Sequence, residues 1–313
     1  MQPKTILLLA FSAFTGLFFS GCGKIANVSN KAPVADAGPS KVITLPTNSV
    51  TLTGTGTDAD GTIASYFWSQ VSGPAATSIT NPGSPSTPIT GFVAGTYVFQ
   101  LTVTDNGGLP GTDTVSVLVN PAPAPTTFTA QPANNTTERM LINVGTTDKS
   151  ASGVDHWTID AWTSNSLPYT GRVIFKFDLS SIPATATITG ATLYLYSNSP
   201  PVEGNLVDAN FGTNNSLVLQ QITSSWVPAS ANWNNQPPTT TTNQVLIPAT
   251  TQSVLDFTAD VTQMVKSMVS TNANYGFMLK LQSEVMYNSR EIVSSFNTAK
   301  AAKYPKLVVT YTP

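Results

Sequence analysis

From Thr96 to Thr104 the chain reads Thr-Tyr-Val-Phe-Gln-Leu-Thr-Val-Thr, so that Tyr97, Phe99, Leu101 and Val103 fall on one side of an extended backbone. A period of two marks a strand buried on one face and excludes a helix there. The same period recurs in Arg172–Leu179, Ala191–Tyr196, Tyr275–Leu281 and Leu307–Tyr311. Only Val261 to Val269 departs from it: Val261, Met264, Val265, Met268 and Val269 have helical spacing, which predicts one short helix with Asp260 as its N-cap. Composition supports an all-β chain. The 46 Thr outnumber the 14 Lys+Arg and 16 Asp+Glu together, too little charge for a helical bundle or coiled coil. Hydrophobic residues make up 41% of the chain, which excludes disorder, and a net charge of −2 provides no field for generic nucleic-acid binding.

The ends of the chain carry different information. Residues 1–21 hold Lys4, the apolar run Ile6 to Phe19 and small residues before Cys22, which reads as a secretory signal. The segment resembles the lipobox of bacterial lipoproteins, although Phe19 stands where Leu is usual. That resemblance implies cleavage before Cys22 and a membrane anchor of several acyl chains on it, each buried CH₂ contributing about 0.8 kcal/mol. Residues 22–31 would be the tether. A single Cys excludes an internal disulfide framework.

Residues 32–120 form a first block with Lys41 as its only basic residue. Strands are expected at Val42–Leu45, Ser49–Thr53, Ile63–Gln70, Gly95–Asp105 and Thr112–Val119. Ala35-Asp36-Ala37-Gly38-Pro39, Asp58-Ala59-Asp60-Gly61-Thr62-Ile63, Tyr66-Phe67-Trp68, Gly95-Thr96-Tyr97 and Leu101 to Asp105 occur in the order of the PKD family, which the block resembles. The resemblance implies an immunoglobulin-like β-sandwich with Trp68 in its core, serving as a spacer or interaction module. The prolines of residues 121–125 predict an extended linker.

Residues 126–313 form the second block. Arg172 to Pro183, Ala186 to Leu193, Ser225-Trp226, Asn232 to Pro237, Asn274 to Phe277 and Tyr304 to Leu307 resemble the DNRLRE-type domain, also classed as carbohydrate-binding module family 96. The opening stretch, Asn134 to Gly145, matches poorly. The resemblance implies a jelly-roll sandwich, with binding of uronic-acid polymers such as alginate known for some members. Thr239–Thr242 reads as a polar loop.

Carbohydrate recognition needs aromatic faces for sugar C–H surfaces and polar or charged groups for hydroxyls and carboxylates. Trp157 and Trp162 are candidates because they stand in a polar stretch, whereas Trp226 and Trp233 read as packing residues. Tyr194 and Tyr196 alternate with Leu193 and Leu195, so they share one face, either open to solvent or covered by a second sheet. Arg172 and Lys176 lie on one strand face roughly 13 Å apart at ~3.3 Å per residue. Lys280 and Arg290 in later strands complete the cationic set. With 10 basic and 11 acidic residues from Thr126 onward, attraction for a polyanion must come from such a local cluster. Asp36, Asp58, Asp60 and Asp105 sit in glycine-containing turns, where they would bind structural Ca²⁺ or make Asx turns. His156, the only imidazole, reads as a loop residue beside Trp157 and belongs to no catalytic motif.

The expectation is a lipid-anchored protein of the bacterial cell envelope, at the outer membrane with its periplasmic or external orientation open. It binds polysaccharide through the second domain and does not cleave it. A structural or adhesive surface protein with protein or matrix contacts is the alternative. A polysaccharide lyase or glycosidase would require paired carboxylates that no spacing reveals. Oligomeric state is not encoded legibly.

Overall fold

A computed structural model describes residues 29–131 and 138–313. The signal segment, Cys22 and most of the tether lie outside the described residues, as does the start of the Asn134–Gly145 stretch. The chain divides into two compact units between Ala122 and Pro123. Both are all-β sandwiches, as the alternation predicts, and among the described residues no helix is long and apolar enough to cross a bilayer.

In the first unit a four-stranded sheet runs in the order Lys41–Thr44, Pro110–Asn120, Gly95–Asp105, Ile63–Ser72. A three-stranded sheet holds Ser49–Thr53, Ser86–Thr90 and Ser78–Ile79, and Val34–Asp36 pairs with Thr55–Thr57. Tyr97, Phe99, Leu101 and Val103 are each 0% exposed and pack with Trp68 against Leu52 and Ile89 of the facing sheet. Burial of each such side chain favours folding by about 1.5–3 kcal/mol.

The second unit packs a four-stranded sheet, ordered Thr126–Ala130, Lys306–Thr312, Thr187–Leu195, Phe257–Asp260, on a nine-stranded one. The larger sheet includes, as successive neighbours, Asn288–Val293, His156–Ser164, Leu167–Phe175, Phe277–Leu281, Leu217–Ile222 and Thr239–Ile247, with Glu138–Val144 also paired to Leu167–Phe175. Val173, Phe175, Leu219 and Leu279 from one sheet meet Leu193, Leu195, Leu307 and Val309 from the other in a single core.

Three expectations about elements need correction. The strand expected over Arg172–Leu179 ends at Phe175, which leaves Lys176 just beyond it. The helix spans Thr262–Ser270 and buries Met264, Val265, Met268 and Val269, but its N-cap is Val261. Asp260 ends a strand, and its Oδ1 accepts the Thr262 N–H at 2.9 Å, one residue before it could cap. Thr239–Thr242 is strand rather than loop. Polar β-branched residues suit a half-exposed strand as well as they suit a linker.

Candidate functional site

Along Leu167–Phe175, Val173 and Phe175 point into the core, which turns Arg172 and Ile174 to the opposite face. The ladder sets Leu141 opposite Arg172 and Met278 opposite Ile174, while Lys280 lies opposite Val218. On that face Leu141, Ile174, Ile222, Ala231 and Met278 form a small second core, capped by the partly buried Trp226, Trp233 and Tyr275. Burial of these apolar groups brings the segment after Ile222 down over the sheet.

Local hydrogen bonds fix the two indoles. Trp233 opens a 3₁₀ turn, Trp233–Asn235, whose N-cap Asn232 accepts the N–H groups of Asn234 and Asn235. Asn235 returns its Oδ1 to the Asn232 N–H at 2.6 Å, closing a capping box. Trp226 Nε1 donates to the Tyr275 carbonyl at 2.7 Å. The Arg172 guanidinium then lies 4.6 Å from the Trp233 ring centre, and Lys176 Nζ lies 6.0 Å from that of Trp226. Arg172 also donates from Nε and Nη2 to Glu284, at 2.6 and 2.9 Å, and from Nη1 to Gln236 Oε1 at 2.9 Å. Lys280 carries a lowered pKa, from partial burial first and from the Arg172 charge second. Beside Trp226 a groove of about 300 Å³ is lined by Ser225, Ser230, Asn235, Gln236 and Pro238. Its aromatic wall and its hydroxyl and amide groups, with Lys176 near the same indole, are of the kind that sugar recognition uses.

The structure thus brings together Arg172, Lys176 and Lys280 of the expected set, and adds Trp226, Trp233 and Gln236. Trp226 and Trp233 do pack their loop, yet they also carry the cations. The clue in the sequence was their spacing among Ser, Asn and Gln from Ser224 to Gln236.

Other expected residues lie elsewhere. Trp157 is 1% exposed, with its ring 4.7 Å from Phe175, and therefore belongs to the core rather than to a ligand surface. Arg290 is 0% exposed and donates from Nε to Asn215 O at 3.0 Å and from Nη2 to Pro248 O, with its guanidinium 5.4 Å from the Phe257 ring. Burial pushes its pKa down to about 10, and it cannot meet a surface ligand. Tyr194 is half-buried on the smaller sheet with Lys306 Nζ 4.5 Å from its ring, and Tyr196 lies just beyond the same strand. Neither reaches the Arg172 face.

Trp162 occupies a cleft of about 270 Å³ with Asp160, Tyr169, Glu203, Gly204 and Leu206. Phe211 and Tyr287 meet the indole edge-on, at 5.6 and 5.3 Å between ring centres. Glu203 Oε2 accepts the hydroxyls of Thr158 at 3.0 Å and Tyr169 at 3.2 Å, with His156 Nε2 3.9 Å away. His156 is thus no loop residue. It opens the His156–Ser164 strand, is buried, and bonds Asp155 through Nδ1 at 2.7 Å. Burial works against its charge, but Glu203 and Asp155 prevail and push its pKa up to about 9. Asp160 is 1% exposed, and its carboxyl is held well above the usual range by burial and by repulsion from Glu203 and Glu291. Gly171 is required here: a Cβ would lie 2.4 Å from the Thr158 carbonyl oxygen and 2.8 Å from Asp160 Oδ1.

The four carboxylates proposed for Ca²⁺ are engaged separately. Asp36 accepts the Gly38 N–H at 2.8 Å, Asp58 that of Asp60 at 3.3 Å, and Asp60 that of Lys31. Asp105 accepts from Gly107, Leu109 and the Asn30 amide. Asp36, Asp58 and Asp105 each accept the N–H two residues on, which is the Asx-turn alternative, and among the described residues no three His, Cys, Asp or Glu side chains gather to hold a metal ion.

Comparison with known proteins gives the same two modules in the same order. Residues 37–119 match the K319L-like PKD domain family, and residues 159–311 match carbohydrate-binding module family 96. Both are non-catalytic kinds of module. The Mus musculus dyslexia-associated protein KIAA0319-like protein is 36% identical over 156 residues, 48% of this chain and 14% of that protein. The Homo sapiens dyslexia-associated protein KIAA0319 is 42% identical over 91 residues, 29% of this chain and 8% of that protein. The chain therefore spans only a small part of these relatives' length. The solution structure of the PKD domain from KIAA 1837 protein is 40% identical, covers 31% of this chain and 96% of its own, and superposes with a TM-score of 0.28.

Proposed function

We propose that the second unit holds an acidic, uronate-type polysaccharide on the face bearing Arg172, Lys176, Lys280, Trp226 and Trp233, with the PKD-like unit as a spacer and Cys22 as a lipid anchor in the bacterial envelope. The family match supports carbohydrate binding. The observation that carries the acidic specificity is the pairing of cations with both indoles on one sheet face, Arg172 with Trp233 and Lys176 with Trp226. Stacking on Trp226 would orient the ring, Lys176 and Lys280 would meet carboxylates, and Arg172, already held by Glu284 and Gln236, would position Trp233.

Affinity electrophoresis of the full chain tests this. Retention on alginate should weaken as salt rises, and retention on a neutral glucan should be small. Lys176→Ala, Lys280→Ala and Trp226→Ala should each lower alginate affinity about tenfold. No retention on any glycan would sink the reading, and release of oligosaccharides would overturn the non-enzymatic assignment.

A further inference from the structure

The Trp162 cleft lies away from the Arg172 face. Tyr169 of the cleft and Arg172 are three residues apart on one strand, which places them on opposite faces. Its chemistry is also the opposite. Asp160, Glu203 and Glu291 stand against His156 as the nearby cation, and His156 is already paired with Asp155. Glu291 is satisfied by N–H donors from Val202, Glu203 and Asn198, and Lys300 reaches Asn198 rather than a carboxylate. Asp160 is different: it lines the cleft, yet its buried Oδ1 has no hydrogen-bond partner. An unpaired buried carboxyl costs stability that an incoming donor would recover. The volume, about 270 Å³, lies at the small end of ligand pockets and suits one sugar ring better than a polymer strand.

We infer that this cleft is a second ligand site, specific for a cationic sugar: a hexosamine with a free amino group, its ring against Trp162 and its ammonium between Asp160 and Glu203. A neutral sugar would supply hydroxyl donors but leave the charges of Glu203 and Glu291, which His156 alone offsets, in place, and a uronate would be repelled. Among the described residues the carboxylates do not gather into a metal-ligand set. The ammonium satisfies both conditions at once, since it offers three donors and a positive charge. Trp162, flanked by Phe211 and Tyr287, contributes the apolar wall.

Calorimetry on the full chain with glucosamine oligomers provides the test, run beside N-acetylglucosamine oligomers and neutral gluco-oligomers. The free amine should bind, and the other two should bind at least about tenfold more weakly. Glu203→Gln, at a half-exposed position that need not disturb folding, should cost tenfold or more, and Trp162→Ala likewise. Trp162→Phe, which keeps a stacking face, should retain most of the affinity. Thermal melting of each variant establishes that it is folded. Absence of binding by the amine oligomers, equal binding of the acetylated ones, or full affinity in both Glu203→Gln and Trp162→Ala would overturn the inference. None of these outcomes depends on whether alginate is retained.

Discussion

Single residues in the second unit place charge where water is scarce, and the most informative is Glu138. Its carboxyl is 2% exposed, and burial pushes its pKa from 4.5 up to about 7 in spite of nearby Ser295 and Trp157. The folded state therefore binds its proton more tightly than the unfolded state does. A raised carboxyl favours folding while protonated, and that contribution disappears as pH rises from 4.5 through about 7. Linkage sets the loss at roughly 3 kcal/mol at most. His156 has the same sign in a higher window: stability conferred by its charged form is present below 6.5 and lost as pH rises through about 9. Melting temperature should accordingly fall from mildly acidic toward alkaline pH, and Glu138→Gln should flatten the lower part of the fall and raise stability at neutral pH. A melting curve that is equally pH-dependent in Glu138→Gln would contradict this. Residues such as Trp157 and Trp162 also mark the limit of sequence reading. Both stand among polar neighbours, yet every residue from His156 to Ala161 is buried, so no alternation separates core from cleft. Arg290 is hidden for the same reason, in a strand buried at all six positions.

Elements were legible where one face meets water. Gly95–Asp105 alternates between buried and partly exposed positions over most of its length, and its bounds follow from the pattern. The helix was legible from its apolar spacing, but its cap was not, because Asp260 bonds Thr262 from the end of a strand. The turn that carries Trp233 depends on a reciprocal side-chain contact between Asn232 and Asn235, which no periodicity announces. Its role can be tested apart from ligand contact. Asn232→Ala removes a cap worth about 0.5–2 kcal/mol, a cost that falls on the turn. Alginate affinity should drop several-fold with little change in melting temperature. An unchanged affinity would show that the turn does not position Trp233.

At the level of the whole molecule the low charge acquires a specific meaning. With so few charges, two local groupings stand out in the second unit: Arg172 and Lys176 over Trp233 and Trp226, and Asp160 and Glu203 in the cleft of Trp162. The order of modules was readable because each family pattern runs through its block, whereas the placement of ligand groups depends on which strands become neighbours across long sequence gaps. The anchor is tested at this scale. Cys22→Ala should abolish labelled palmitate incorporation and move the protein from the membrane to the soluble fraction. Continued labelling and membrane retention would remove the lipoprotein assignment.

The Lys41–Thr44 strand, near the start of the first unit, runs parallel to Pro110–Asn120 at its end, paired from Lys41 with Val117 to Thr44 with Asn120, and the Leu45 N–H extends the contact to the Asn120 carbonyl. If Cys22 is anchored and the second unit holds a polymer, as proposed, tension between the two is carried through this unit. Once the short Val34–Asp36 strand yields, tension slides Lys41–Thr44 along the parallel Pro110–Asn120 strand and loads their hydrogen bonds together rather than one after another. The spacer is therefore built to bear mechanical shear, and its resistance to force should exceed what its equilibrium stability alone suggests.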